Sequence, residues 1–250
     1  MCFLRSKRFA AGLPSLKPAA DKPIVCYVTD RRSLTGVGTE AAITSIIFQN
    51  IQVALAAGAD WVQLREKHLQ SGQLLEVGRV AVSLAAAQRE KDERPARIII
   101  NDRLDVAIAA AADGVHLGHE SAPAREVVRW CRAGNAPDRF VVGVSCHNVE
   151  EARQAENAKA DYIFFGPVFE TPSKRAFGVP QGLERLAEVC RAISMPVVAI
   201  GGVNQENAAA CIRAGAAGIA AIRMFQESLD AKAIGESIAF IHGLRGKEPI

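Results

Sequence analysis

Residues 158–174 read AKADYIFFGPVFETPSK. Ile163, Phe164 and Phe165 form an apolar run of strand length, and Gly166–Pro167 ends it. Thr171, Ser173 and Lys174 follow at once. A core strand that delivers two hydroxyls and an ammonium at its C-terminal end belongs to an architecture whose strand ends open onto a site. The first part of the stretch also recurs: AAGADWVQL at 56–64, AAADGVHLG at 110–118 and RAGAAGIAAI at 213–222. Each joins a helix end through a small-residue turn to a strand. The recurrence fits either internal repetition or one connection reused for packing.

Outward from this stretch, short apolar runs alternate with helical spacing along the whole chain. Strands are expected at 24–30, 61–65, 97–101, 114–118, 140–145, 162–166, 196–202 and 217–222. Helices are expected at 41–57, 71–89, from Leu104, and at 122–133, 148–158, 181–193, 205–214 and 227–244. The strands are apolar on both sides, as parallel strands covered by helices must be. Eight β-then-α units without a linker predict a closed barrel rather than an open doubly wound sheet. The fold class is therefore α/β: a single (β/α)8 TIM barrel over 22–250, after a flexible tail at 1–21.

The bulk composition agrees. The chain has 250 residues, 49% hydrophobic, enough for one large core. Its 30 basic and 27 acidic residues, for a net charge of +3, give no surface suited to nucleic acid or membrane. Cys2, Cys26, Cys131, Cys146, Cys190 and Cys211 are scattered without a CxxC pair, as reduced thiols of a cytoplasmic protein are. The basic start lacks the apolar centre of a signal peptide, and no apolar run is long enough to span a bilayer. Association with copies of itself stays open.

In such a barrel the active site lies at the C-terminal ends of the strands. Gln63, Arg65 and Lys67 end the second strand; Asn101, Asp102 and Arg103 the third. His116 lies in the fourth, before His119, Glu120 and Ser121. Ser145, Cys146 and His147 end the fifth, Thr171, Ser173 and Lys174 follow the sixth, and Gly201–Gly202 end the seventh. Ile222 and Arg223 end the eighth. Each has a plainer reading: Gln63 and Arg65 could bridge barrel layers, Asp102 could cap a helix, and His116 reads as a satisfied core histidine. Convergence on one face favours a site. Arg65, Lys67, Lys174 and Arg223 suit an anionic substrate, and Asp102 suits a magnesium ion that bridges phosphates. AIGGVNQEN reads as a phosphate grip, because glycine admits close backbone approach and amides near a helix start attract phosphate oxygens.

YVTDR, QLREK, IND, DGVHLG, GVSCH, DYIFFGPVFETPSK, QGLE and AIGGV, in this order over residues 26 to about 225, resemble the thiamine phosphate synthase family. The resemblance implies a transferase that joins hydroxymethylpyrimidine diphosphate to a thiazole phosphate, releasing pyrophosphate. It implies that Gln63, Arg65, Lys67 and Asn101 bind the diphosphate substrate and that Asp102 holds magnesium. Ser145 would contact the pyrimidine or diphosphate, and Lys174 the departing pyrophosphate. Thr171, Ser173, Gly201 and Gly202 would hold the thiazole phosphate. The implied chemistry is dissociative, with a pyrimidine-methyl cation captured by the thiazole nitrogen.

The chain departs from the family pattern after HLG. Where the family reads Gln-Glu-Asp or similar, with the Asp a second magnesium ligand, this chain reads His119-Glu120-Ser121. That departure brings in a related activity, thiazole tautomerase, which would use an acid–base pair such as His147 with a neighbour, or a thiazole phosphate-binding relative without turnover. Intact QLREK, Asn101–Asp102 and Lys174 point to the synthase, since a tautomerase has no diphosphate to hold.

Overall fold

The computed structural model describes residues 22–34, 36, 38–92, 96–171, 180–226 and 230–244. Eight parallel strands alternate with helices. The strands are β1 (Ile24–Val28), β2 (Trp61–Leu64), β3 (Arg97–Asn101), β4 (Gly114–Leu117), β5 (Val141–Cys146), β6 (Tyr162–Phe165), β7 (Val197–Ile200) and β8 (Gly218–Ala221). Each pairs with the next, and β8 pairs with β1 in register Ile24↔Gly218 through Tyr27↔Ala221, closing a TIM barrel. The covering helices are α1 (Glu40–Ala56), α2 (Ser71–Asp92), α3 (Leu104–Ala109), α4 (Ala124–Trp130), α5 (Val149–Asn157), α6 (Gly182–Ala192), α7 (Ala208–Arg213), α8 (Arg223–Gln226) and α9 (Ala231–His242). Among the described residues no helix is long and apolar enough to cross a membrane. The expected tail at 1–21 lies outside them.

Strand side chains alternate, so the barrel has two cores. Val25, Tyr27, Val62, Leu64, Ile98, Ile100, Ile163 and Phe165 face the helices in the larger one. Cys26, Val28, Trp61, Ile99, Val141, Tyr162, Phe164, Val198 and Ala220 fill the lumen. The parity that sends Trp61 and Ile99 into the lumen sends Gln63 and Asn101 there as well, two residues nearer the mouth.

The recurring phrases have a specific job at the opposite end. Asp60 donates its amide to the Val25 carbonyl (3.0 Å), and its carboxylate accepts the Val25 amide (2.8 Å). Asp113 does the same to Ile98 (2.8 and 2.8 Å), and Asp161 to Val142 (2.8 and 2.7 Å). Each aspartate before an even strand thus clamps both polar groups of one residue on the preceding odd strand. A nitrogen side chain backs each carboxylate: His242 at Asp60 (3.0 Å), Arg89 at Asp113 (2.8 Å) and Arg132 at Asp161 (2.7 Å). Ala217 stands at the fourth equivalent place and keeps the amide bond alone, to Val197 (2.7 Å).

Several boundaries differ from the sequence expectation for visible reasons. The strand expected over 196–202 stops at Ile200, because Gly201 and Gly202 turn into the left-handed region (φ 91° and 69°). The helix expected from 205 starts at Ala208, because the Asn204 side chain takes the amides of Glu206 (3.0 Å) and Asn207 (3.1 Å) in a local turn. Of the helix expected over 227–244, residues 227–229 lie outside the described residues and Ala231–His242 form α9; the short α8 was unforeseen. The described cysteines are free thiols, and burial pushes Cys146, Cys190 and Cys211 up to about 12, so they are inert at neutral pH.

Asp113→Ala leaves the buried Ile98 amide without its partner. Unfolding in urea should show a loss of about 1–3 kcal/mol, and an unchanged midpoint would show that the clamp contributes nothing.

Candidate functional site

QLREK sits at the top of β2 and divides its labour. Gln63 is 1% exposed in the lumen, and Arg65 is half-buried at the mouth. Glu66 is buried beneath it and Lys67 is exposed. Glu66 accepts from the Thr29 hydroxyl and from Arg31 through both its amide (3.3 Å) and Nε (2.8 Å). This locks the loop after β1 to the loop after β2. Arg65 reaches Asp30 (2.6 Å), whose amide donates to the buried Gln226 of α8 (2.7 Å). The short α8, which begins with Arg223, is thereby fixed against the first two loops. The sequence reading treated Asp102 as the clearest carboxylate among the strand ends. Asp30 and Glu66 are also there, but both are engaged by arginines.

A directional hydrogen-bond chain starts at Asp102. Its φ of 61° is unusual for a residue other than glycine and places it against the neighbouring strand end, where its amide bonds the His116 carbonyl (2.8 Å). Asn101 Nδ2 donates to Asp102 Oδ2 (2.6 Å), so Asn101 Oδ1 is free to accept from Gln63 Nε2 (2.9 Å). Gln63 Oε1 is left buried with no partner among the described residues. The bridging of barrel layers weighed for Gln63 and its place in the site are therefore the same arrangement. Asp102 does not cap α3, whose cap position is Arg103 without a side-chain bond.

On its other oxygen Asp102 accepts from the Gly118 amide (3.1 Å) and from the Ser121 hydroxyl, while Ser121 Oγ accepts from that amide (2.7 Å). Ser121, where the resemblance led us to expect a second carboxylate, is thus packed on Asp102. Among the described residues there is no group of three or more His, Cys, Asp or Glu that could hold a metal. One carboxylate and one hydroxyl fit magnesium in the manner usual for it, with water and substrate phosphates filling most of its shell.

Ser145 enters the lumen from β5 and bonds the buried His116 Nε2 (2.9 Å). His147 turns its Nδ1 to the Gly166 carbonyl, and its amide donates to Glu151 (2.7 Å). Ser145 and His147, with Gly118 and His119, border a cavity of 510 Å³ that is also lined by residues of α4 and α5. The loop after β6 is stitched to the top of β7: the Val168 amide donates to the Ile200 carbonyl and the Phe169 amide to the Gly201 carbonyl, both at 2.9 Å. A Cβ on Gly201 would come within 2.6 Å of Pro167 Cα, and one on Gly202 within 2.6 Å of the Glu170 carbonyl. The glycine pair is what lets this loop, ending in the half-buried Thr171, lie against β7. Ile222 packs on the lumen cluster and Arg223 is exposed at the start of α8. Ser173 and Lys174 lie outside the described residues.

The fold is a TIM barrel, with Gln63, Arg65, Asn101, Asp102 and Ser145 gathered at the C-terminal ends of its strands. The comparisons with known proteins agree. The family described as thiamine monophosphate synthase matches residues 34–225. The thiamine-phosphate synthase of Roseiflexus sp. is 41% identical over 199 residues, 80% of this chain and 76% of that protein. That of Methanocella arvoryzae is 42% identical over 188 residues, 75% of this chain and 84% of that protein. The solved thiamine phosphate pyrophosphorylase of Pyrococcus furiosus superposes with a TM-score of 0.72 at 30% identity, covering 88% of this chain and 96% of that one. The chain belongs to the thiamine monophosphate synthase family, a family of transferases acting on small molecules.

Burial drives His116 down to about 3, with Asp102 opposing and Arg65 adding to the shift. It therefore stays neutral in the fold while its unfolded counterpart binds a proton below 6.5. Its contribution to stability is complete above pH 6.5 and is lost as pH falls toward 3. In that window this group alone should cost about 1.4 kcal/mol per pH unit. Denaturation of the parent and His116→Gln between pH 7 and 5 should show a shallower pH slope in the variant, and equal slopes would contradict the assignment.

Proposed function

We propose that the protein condenses hydroxymethylpyrimidine diphosphate with thiazole phosphate to give thiamine phosphate and pyrophosphate. The observation that carries this reading is the chain from Asp102 through Asn101 to the unpartnered Gln63 Oε1, set beside Arg65. It is an acceptor waiting for a polar ring next to cations suited to a diphosphate. The family match supports the same reading.

In this proposal Arg65, Lys67 and Asn101 bind the diphosphate, and Gln63 and Ser145 meet the pyrimidine. Thr171, Ser173 and the Gly201–Gly202 backbone hold the thiazole phosphate, with Ile222 and Arg223 closing that end and His147 bordering the ring. Asp102 would hold magnesium. Magnesium, when bound, neutralises charge on the diphosphate. Lys174 meets the charge that grows on the leaving pyrophosphate, and the groups at the mouth align the thiazole nitrogen with the pyrimidine methylene carbon. Catalysis then rests on positioning and charge stabilisation, without a general base for the carbon–nitrogen bond.

The test is an assay with both substrates and magnesium that follows pyrophosphate and thiamine phosphate. Equal appearance of the two is expected. Isomerisation of thiazole carboxylate phosphate without coupling would replace this reading with a tautomerase. In the same assay Lys174→Ala should lower kcat about 10²–10³-fold, with little change in thiazole phosphate affinity. An unchanged kcat would make Lys174 a surface residue. Ser121→Asp should lower the magnesium concentration for half-maximal rate, because a carboxylate replaces a neutral hydroxyl beside Asp102; identical magnesium curves would remove Ser121 from the metal site.

A further inference from the structure

A second hydrogen-bond chain crosses the lumen beneath the mouth. His116, on β4, lies between Tyr162 Oη, 3.1 Å from Nδ1, and Ser145 Oγ, 2.9 Å from Nε2. Tyr162 is wholly buried, with Trp61 at a ring separation of 4.6 Å and Phe164 at 5.4 Å. A Cβ at position 143 would overlap the Tyr162 ring and hydroxyl. Strand β5 thus gives up a side chain to seat the phenol against His116.

The direction of this chain follows from hydrogen-bond accounting. Among the described residues, His116 is the one hydrogen-bond partner of the Tyr162 hydroxyl. If the phenol accepted from Nδ1–H, its own proton would be buried without an acceptor. If it donates to Nδ1, a lone pair is unused, which costs less. A ring nitrogen that accepts carries no proton, and both ring partners of His116 are neutral hydroxyls, so the imidazole holds a single proton. That proton is then on Nε2, and it is donated to Ser145 Oγ.

We propose that Tyr162 and His116 are positioning residues that fix Ser145 as a hydrogen-bond donor toward the substrate. One of its two lone pairs is taken by Nε2–H, and among the described residues no acceptor takes its own proton, which is left for the substrate. Gln63 is fixed the opposite way, as an acceptor, by Asn101 and Asp102. The floor of the site therefore presents one donor and one acceptor of set polarity. It selects a ring with an acceptor atom facing Ser145 and an N–H facing Gln63, and rejects one with these reversed. The ring specificity rests on the synthase reading; the polarity of the chain does not.

Two arms keep these apart. The first is a ¹⁵N spectrum of histidine-labelled free protein, with the His116 signals assigned by their loss in His116→Gln. His116 should carry its proton on Nε2, and Tyr162→Phe should admit the Nδ1-protonated form. A parent His116 protonated on Nδ1 would overturn the proposal whatever the enzyme does. The second arm places Tyr162→Phe in the parent and in Ser145→Ala. The phenylalanine should lower kcat/KM about tenfold where Ser145 is present, a value typical of a hydrogen-bond loss, and change it little where Ser145 is absent. Equal losses in the two backgrounds would show that Tyr162 acts by packing alone. If the parent forms no thiamine phosphate, the synthase reading fails and the spectrum still decides the polarity.

Discussion

The pairing of β8 with β1 is the constraint on which the other features depend. Closure leaves the sheet without edges, so each strand hydrogen-bonds on both sides and its side chains must alternate between lumen and helices. Alternation then makes the lumen positions nearest the strand ends a single ring. Gln63, Asn101, His116 and Ser145 are far apart in sequence, yet strand register brings them together: Asn101 pairs with His116, and Ser145 with Phe164. An open sheet of the same strands would lay them out in a row.

The two ends of the barrel use polar groups differently. At the N-terminal end, Asp60, Asp113 and Asp161 are saturated by backbone amides and by His242, Arg89 and Arg132, which holds strand register and leaves little for a ligand. At the C-terminal end the polar groups are arranged in series. Fixed groups (Asp102 on one side, Tyr162 on the other) orient the side chains between, and each series ends on an atom, Gln63 Oε1 or Ser145 Oγ, that the proposed reaction gives to the substrate. Glu66 and Arg31 belong to the supporting type although they lie at the mouth, since they hold the loops that carry Arg65 and Lys67. A site built this way needs little reorganisation when substrate arrives, which is what electrostatic catalysis requires.

The eight βα units were legible because each strand is a bounded apolar run and each connection repeats small residues before it. The mouth residues were legible because strand ends are the only place in such a barrel for Gln63, Asn101 or Ser145 to be useful. The clamping role of Asp113 and its equivalents was not, since the recurrence showed a shared connection without showing which amides the carboxylates take. Glu66 was hidden between two expected anion binders, and its burial depends on Thr29 and Arg31 arriving from another strand. His116 was read as a satisfied core histidine, which its two bonds bear out. Its partner Tyr162 could not be found from spacing, because the link runs across the lumen through the space left by Gly143. The helix α8 was missed because four residues carry no period.

The central claim is that the mouth is organised for two substrates before either binds. Its most direct test is a crystal structure of the protein with thiamine phosphate, pyrophosphate and magnesium. The account predicts the thiazole phosphate at Gly201–Gly202 and Thr171, and pyrophosphate beside Arg65 and Asn101. It places the pyrimidine between Gln63 Oε1 and Ser145 Oγ, with the Asp102–Asn101–Gln63 and Tyr162–His116–Ser145 bonds intact. Product lodged in the cavity lined by α4 and α5, or bound at the mouth with either series of bonds broken, would contradict it.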